Sequence, residues 1–353
     1  MKAGKLSQTV WRRAVEKQLN KEEKRVTVPA PAENCMAVRV DAKTLDMSCG
    51  NSQGSTEGLI ELSTAASVFG TTEKICVYAL AKALNDLAAR GGKLQGISAQ
   101  LMLPTEAEEA DVKRIVQTLQ KLCTQKEIPI LGLQAEVNPA VSQQFVQIIA
   151  MGSGKETEML TARNIKPGEE IILCGTIGLE GILRILDERE EELSKRFVPA
   201  FIRQIKELQR QLFLDEAIEA AKEFSNDKDT FAVQQIGSGG IFAALWEMAE
   251  EAGVGLEIDL NKIAIRQETV EICEYYQLNP YQMTSTGGVL MVTEDGAGLI
   301  KALEKVGAGA VRLGVTTAEN ARVITSGTEK RYMDRPAPDE WMRWYMQEFR
   351  KGQ

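Results

Sequence analysis

Three short stretches carry residue types that could do chemistry. In VQQIGSGGIFAALWEMAEE (Val233–Glu251), a strand-like entry runs into Gly237, Ser238, Gly239 and Gly240, and an almost wholly apolar helix follows. A helix N-terminus presents unsatisfied N–H groups and partial positive charge, and glycines let an anion approach the backbone. The same glycines would also let a buried helix pack closely, and the residues alone leave both readings open. The turn Gly175–Gly181 repeats the order strand, glycines, helix. It lacks the Lys-Ser/Thr ending of a P-loop, so a tight connection is the favoured reading. The third stretch is Asn85-Asp86 within LAKALNDLAARGG. Asn and Asp are poor helix-interior residues. A carboxylate flanked by Leu84, Leu87 and Ala88 needs a partner or a cation if it is buried. Glu136, at a strand end, is a weaker acid of the same kind.

Composition narrows the chemistry. The 353 residues include no histidine, which removes Ser-His-Asp, Cys-His and His-zinc mechanisms. Six scattered cysteines form no C-x-x-C pair and read as buried thiols in a reducing cytoplasm. Carboxylates, hydroxyls, amines, backbone amides and oxygen-held cations remain. A net charge of −8 argues against nucleic-acid binding. The chain contains no apolar run long enough for a membrane span, and its first residues do not read as a signal peptide.

The elements that must hold these stretches follow from periodicity. A helix is expected over residues 5–20, short strands at Cys35–Val40 and Thr44–Ser48, and a polar loop at Asn51–Gly58. Thr72–Arg90 reads as a helix stopped by Gly91-Gly92. Leu94–Leu103 is strand-like, and Thr105–Lys126 has helical spacing, with Thr105 and Glu108 fitting a capping box. Ile128–Gln134 and Phe145–Met151 read as strands, completing a β-α-β-β unit. Glu170–Cys174 and Thr230–Gln235 are strands on either side of a charged helical region. The order recurs as strand Val289–Val292, helix Gly296–Val306, and strands Ala310–Thr316 and Ala321–Ser326. Trp341–Phe349 is an amphipathic helix. Two such units predict an α/β (α+β) fold of split βαβ type, with domains over 1–155 and 156–353.

The motifs resemble a known family. NDLAARGG (Asn85–Gly92) followed by a strand ending Leu103-Pro104 is similar to the N-D-(I/L)-A-A-(R/M)-G-A…L-x-L-P run of the AIR synthase-related, PurM-like superfamily. GLQAEV (Gly132–Val137) sits where that family has G-G-H-T-E-V. GGIFAALWEMAE (Gly239–Glu250) and GVGLEID (Gly253–Asp259) resemble its G-G-L-x-x-A-L-W-E-M-A…G-V-G-x-x-I-D. The likeness is strongest to the hydrogenase expression/formation branch, HypE. It implies a two-domain subunit whose N-terminal sheet pairs across a homodimer, with ATP and Mg²⁺ in a cleft there and a maturation-protein partner. On that reading Asn34, Asn85, Asp86, Glu136, Gly237, Ser238, Gly239 and Gly240 bind the cofactor, with Asp86 and Glu136 on the metal.

The sequence departs from the pattern at the acids. Asn34 stands where the family has an acid in G-E-D-A-A-V, and Ser48–Gly50 reads SCG for S-T-D. Gln234–Gly240 reads QQIGSGG for H-D-P-T-E-G-G, and the chain ends Gly352-Gln353 without a terminal cysteine. Mg²⁺ is held by carboxylates together with phosphate and water. Asn, Gly and Gln in their place remove most of that charge, while a neutral turn keeps backbone amides for phosphate. The expectation is a nucleotide- or phosphate-binding relative with eroded Mg-ATP motifs. The alternative is an ATP-dependent enzyme that phosphorylates an amide or acid oxygen.

Overall fold

A computed structural model describes residues 8–14, 35–39, 58–225 and 231–351. The expected strand Thr44–Ser48, Asn34, Cys49 and nearly all of the 51–58 loop lie outside them. Helix α1 (Gln8–Ala14) falls within the expected N-terminal helix. The chain divides into two compact units, Trp11–Leu160 and residues 1–10 with 161–353.

In the first unit the described strands are β1 (Cys35–Arg39), β2 (Leu59–Gly70), β3 (Lys93–Leu103), β4 (Ile130–Val137) and β5 (Gln144–Lys155), in the order β1-β2-β5-β3-β4. Helices α2 (Ile75–Ala89) and α3 (Glu109–Gln125) connect them. β2 and β3 each pair antiparallel with β5, so β2-α2-β3 is a split βαβ unit with β5 between its strands. β3 and β4, by contrast, are adjacent and parallel. Strand β2 alternates strictly: Ile60, Leu62, Ala66 and Val68 are buried, while Glu61, Ala65 and Ser67 are exposed. Side chains two apart share one face of a strand. The buried face receives α2, whose Leu87 fills the space left by Gly92 and Gly152. The periodicity reading passed over β2 because its polar and small residues weaken the apolar signal.

Helix α3 starts later than its spacing suggested. Pro104–Ala107 forms a turn closed by the Ala107 N–H on the Pro104 carbonyl at 3.1 Å. The capping box is therefore Glu108 with Asp111, whose Oδ2 accepts from the Glu108 N–H at 2.9 Å. Thr105 instead donates to Glu106 at 2.8 Å.

The second unit is built on β6 (Glu170–Gly175), β7 (Phe231–Gln235), β8 (Gly255–Asp259), β9 (Gly288–Thr293), β10 (Ala310–Thr317), β11 (Arg322–Ser326) and β12 (Glu329–Tyr332). Their order is β12-β11-β8-β10-β6-β9-β7. Helices α4 (Leu179–Arg196), α5 (Pro199–Glu207) and α6 (Asp215–Ser225) link β6 to β7, which lie on either side of β9. Helix α9 (Gly296–Lys305) links β9 to β10, with β6 between them. The split βαβ unit is thus used twice here. β10 and β11 are separated by β8, which is antiparallel to β10 and parallel to β11. Helices α7 (Gly240–Ala252) and α8 (Gln267–Tyr276) flank β8, and α10 (Glu340–Lys351) ends the described chain.

Candidate functional site

Helix α7 is apolar on most of its surface because it is a core element. Ile241, Ala244, Leu245, Met248 and Ala249 pack with Leu290, Val292 and Leu256 of the sheet. Its start is set by two glycines in the left-handed region, Gly239 at φ 85° and Gly240 at φ 69°. L-residues pay a steric penalty there. A Cβ on Gly240 would also collide with the Tyr281 carbonyl oxygen. The Phe242 ring stacks on Tyr281 at 5.2 Å, so the helix start is clamped to the segment 280–283. Gly237 differs: a Cβ there meets nothing within 4 Å.

Two amides of this turn have partners within the chain. Gly240 N–H donates to the Gly237 carbonyl at 3.2 Å. Gly239 N–H donates to Asp339 Oδ2 at 2.6 Å, and the Ser238 hydroxyl reaches the same oxygen at 3.4 Å. The other oxygen of Asp339 accepts from the backbone of Trp341 at 3.0 Å and Met342 at 3.2 Å, capping α10. A carboxylate of the chain itself therefore occupies the anion position at the start of α7. In the strand before the turn, the Gln234 amide oxygen is buried without a hydrogen-bond partner among the described residues.

The earlier turn, Gly175–Gly181, is closed from within the unit. Gly178, at φ 71°, donates its N–H to Ser285 Oγ at 2.6 Å. Thr176 donates to the Gly287 carbonyl at 3.0 Å and Gly181 to the Thr284 carbonyl at 3.2 Å. Next to it Glu180, fully buried, accepts from Thr284 Oγ1 at 2.8 Å and Thr286 Oγ1 at 2.7 Å. Arg184, one turn along α4, pairs with its other oxygen at 3.2 Å. The Arg184 guanidinium lies 3.3 Å over the Trp341 ring. A buried carboxylate with three donors is a fully satisfied network of the kind that fixes a core.

In the other unit, Asn85 is the buried member of the Asn-Asp pair and Asp86 is half-buried. Asn85 belongs to the buried set of α2 together with Ala81, one turn before it. Glu136 is exposed and accepts from the Asn138 side chain at 3.0 Å. It pairs in register with Met102, on the sheet face turned away from Leu101, Leu103 and the helices. Asp86 neighbours Leu87, which packs at the Leu94–Gly152 end of the sheet. From Leu94 to Met102 is roughly 26 Å along β3. Asp86 and Glu136 are carried by different elements, α2 and β4, and remain candidate metal ligands.

Sequence reading missed Asp339, Glu180, Arg184 and Thr284–Thr286. Asp339 was legible as a helix cap after Pro336 and Pro338, but its bond to Gly239, 100 residues away, leaves no local signal. The described cysteines are buried, and burial pushes the Cys76 and Cys273 thiols up to about 12 and Cys123 and Cys174 to about 11. They are poor nucleophiles in the folded chain. No helix among the described residues is long and apolar enough to cross a membrane.

Comparison with known proteins gives consistent matches. The N-terminal domain of AIR synthase related protein matches residues 52–153, and its C-terminal domain matches residues 166–326. A hydrogenase expression/formation protein of Methanocaldococcus jannaschii is 27% identical over 281 residues, 78% of this chain and 80% of its own. A carbamoyl dehydratase HypE of Rhodobacter capsulatus is 27% identical over 251 residues, 69% and 70% of the two chains. Among solved structures, hydrogenase maturation protein HypE in complex with ATP aligns at TM-score 0.64 and 15% identity, covering 85% of this chain and 91% of that one. AaThiL complexed with AMPPCP and TMP aligns at 0.68 and 16%, covering 97% and 98%. A HypE–HypF complex aligns at 0.64 and 20%, covering 78% and 90%. The structural likenesses carry the fold, and the family matches lie one on each unit: the chain belongs to the AIR synthase related family.

Proposed function

We propose that this protein is a HypE-like nucleotide- or phosphate-binding component of hydrogenase or cofactor maturation, and that its Mg-ATP machinery is eroded. The observation that carries this reading is the α7 turn. Where the family places His, Asp and Glu, this chain has Gln234, Gln235 and Ser238. The carboxylate found there, Asp339, comes from the C-terminal segment and is committed to two sets of backbone amides. The kinship with a hydrogenase expression/formation protein and with HypE supports the maturation context. The ATP and AMPPCP named for two structural relatives support a nucleotide as ligand.

The proposed assembly is a cytoplasmic homodimer paired through the first unit. On the face of its sheet turned away from α2, Met36 and Val38 are exposed and Ile149 and Met151 are only half-buried. Apolar residues across an open sheet face are what a second copy would cover. In such a dimer, a cation would take Asp86 and Glu136 from different subunits, if it takes both. The complex of HypE with HypF makes a second maturation protein the expected heterologous partner. An Ile149→Lys variant should sediment as a monomer, and unchanged sedimentation of a wild-type monomer would sink the dimer.

The alternative reading, an active ATP-dependent enzyme, is favoured by the retention of Asp86 within an intact NDLAARGG run. Product release separates the two. Incubation with ATP and Mg²⁺ should yield ADP no faster than a buffer control. ADP formation that Asp86→Ala abolishes would replace the eroded reading with the active one.

A further inference from the structure

We infer that residues Leu160–Arg163, where the chain leaves the first unit for the second, couple the last turns of α2 and α7. Arg90 is the positioning residue on one side and Glu251 on the other. Helix α2 carries Asn85 and Asp86, and α7 follows the glycine turn, so a change at one candidate stretch reaches the other. The inference goes beyond the nucleotide reading and does not depend on it.

On the first side, Arg90 follows the last residue of α2 and is buried. Its Nη1 donates to the Leu160 carbonyl at 3.2 Å, and the Leu160 N–H donates back to the Arg90 carbonyl at 3.3 Å. Gly91, at φ 88°, lets the chain pass close by, since a Cβ there would meet the Glu158 carbonyl oxygen. A buried guanidinium is costly to strip of its acceptor, so Arg90 holds residue 160 against the end of α2. On the second side, Ala162–Asn164 form a single 3-10 turn. The Thr161 Oγ1 accepts from the Arg163 N–H at 3.3 Å, and its carbonyl accepts from the Asn164 N–H at 3.2 Å. Arg163 pairs with Glu251 in the last turn of α7. Ala162 and Ile165 belong to the same core as Ile241, Leu245, Met248 and Ala249 of α7. That helix closes with the Gly253 and Val254 N–H groups on the Ala249 carbonyl. A turn that is bonded to itself and packed at this density passes a displacement on rather than absorbing it.

Arg90→Met keeps the buried aliphatic stem and removes the bond to Leu160. Full-length wild type, Arg90→Met and Glu251→Gln are compared by native-state amide exchange, with denaturant melts to correct for global stability. In Arg90→Met the Leu160 amide should exchange about tenfold faster, the scale of one hydrogen bond from a charged group. The decisive readout lies in the other unit, where the Arg163, Gly253 and Val254 amides should exchange about threefold faster. Coupling is reciprocal, so Glu251→Gln should speed the Leu160 amide by a similar factor. A merely local role confines each variant's effect to its own unit, and that result overturns the inference, as does an unchanged Leu160 amide in Arg90→Met. Should Arg90→Met fail to fold, Glu251→Gln decides alone, since the Arg163 side chain with which Glu251 pairs is 46% exposed.

Discussion

The two glycine turns of the second unit share one order, strand then glycines then helix, and they are closed by different kinds of partner. At Gly175–Gly181 the amides go to Ser285 Oγ and to the carbonyls of Gly287 and Thr284, all just ahead of strand β9. That turn is part of the core, and the satisfied Glu180–Arg184 pair beside it adds to its rigidity. At Gly237–Gly240 the decisive partner is Asp339, which belongs to a C-terminal helix attached by side chains. Similar sequence thus yields two turns closed from different parts of the chain, one by the segment before β9 and one by the cap of α10. The difference lies in which segment supplies the acceptor, not in the glycines.

Glu180→Ala should produce the largest loss of stability, about 3–5 kcal/mol, because it strands the buried Arg184 and two hydroxyls. Denaturant titration measures this, and a loss below about 1 kcal/mol would mean that the first turn is no more fixed than the second. Gly240→Ala comes next, at about 3 kcal/mol, from a Cβ in the left-handed region driven against the Tyr281 carbonyl. The buried thiols give a smaller, pH-dependent effect. Cys174 ends β6 just before the first turn, and burial raises it to about 11. A thiol raised in the folded state stabilises below its unfolded value, about 8.5, and that contribution fades as pH rises toward 11. Melting temperature should therefore fall across this window, and Cys174 should resist alkylation at pH 8 until denaturant is added. Rapid labelling in the folded protein would show that the first turn opens. The smallest effect is expected for Gly237→Ala, within about 0.5 kcal/mol, since its Cβ would meet open space. A large loss there would mean that the second turn is as tightly packed as the first.

Much of this architecture was legible in the sequence. Strands such as β6, β7 and β9 are short apolar runs, and α9 and α10 announce themselves by helical spacing. Strand β2 was not legible, because LIELSTAASVFG mixes apolar, small and polar residues and its outer face is not buried. The order of β8, β10 and β11 was also hidden, since pairing between distant strands has no local signature. At the candidate site, the glycines and the missing acids could be read directly. The closing carboxylate could not, because Asp339 reads locally as an ordinary helix cap.

The central claim is that the α7 turn keeps backbone geometry for a phosphate while its metal-dependent chemistry is lost. Calorimetric titration of ATP into the wild-type protein, with Mg²⁺ and again with EDTA, tests it most directly. The account predicts saturable binding with the same affinity, within about twofold, in both buffers, because neutral amides rather than a metal bridge would hold the phosphates. Binding that requires Mg²⁺ and is lost in Asp86→Ala would contradict it.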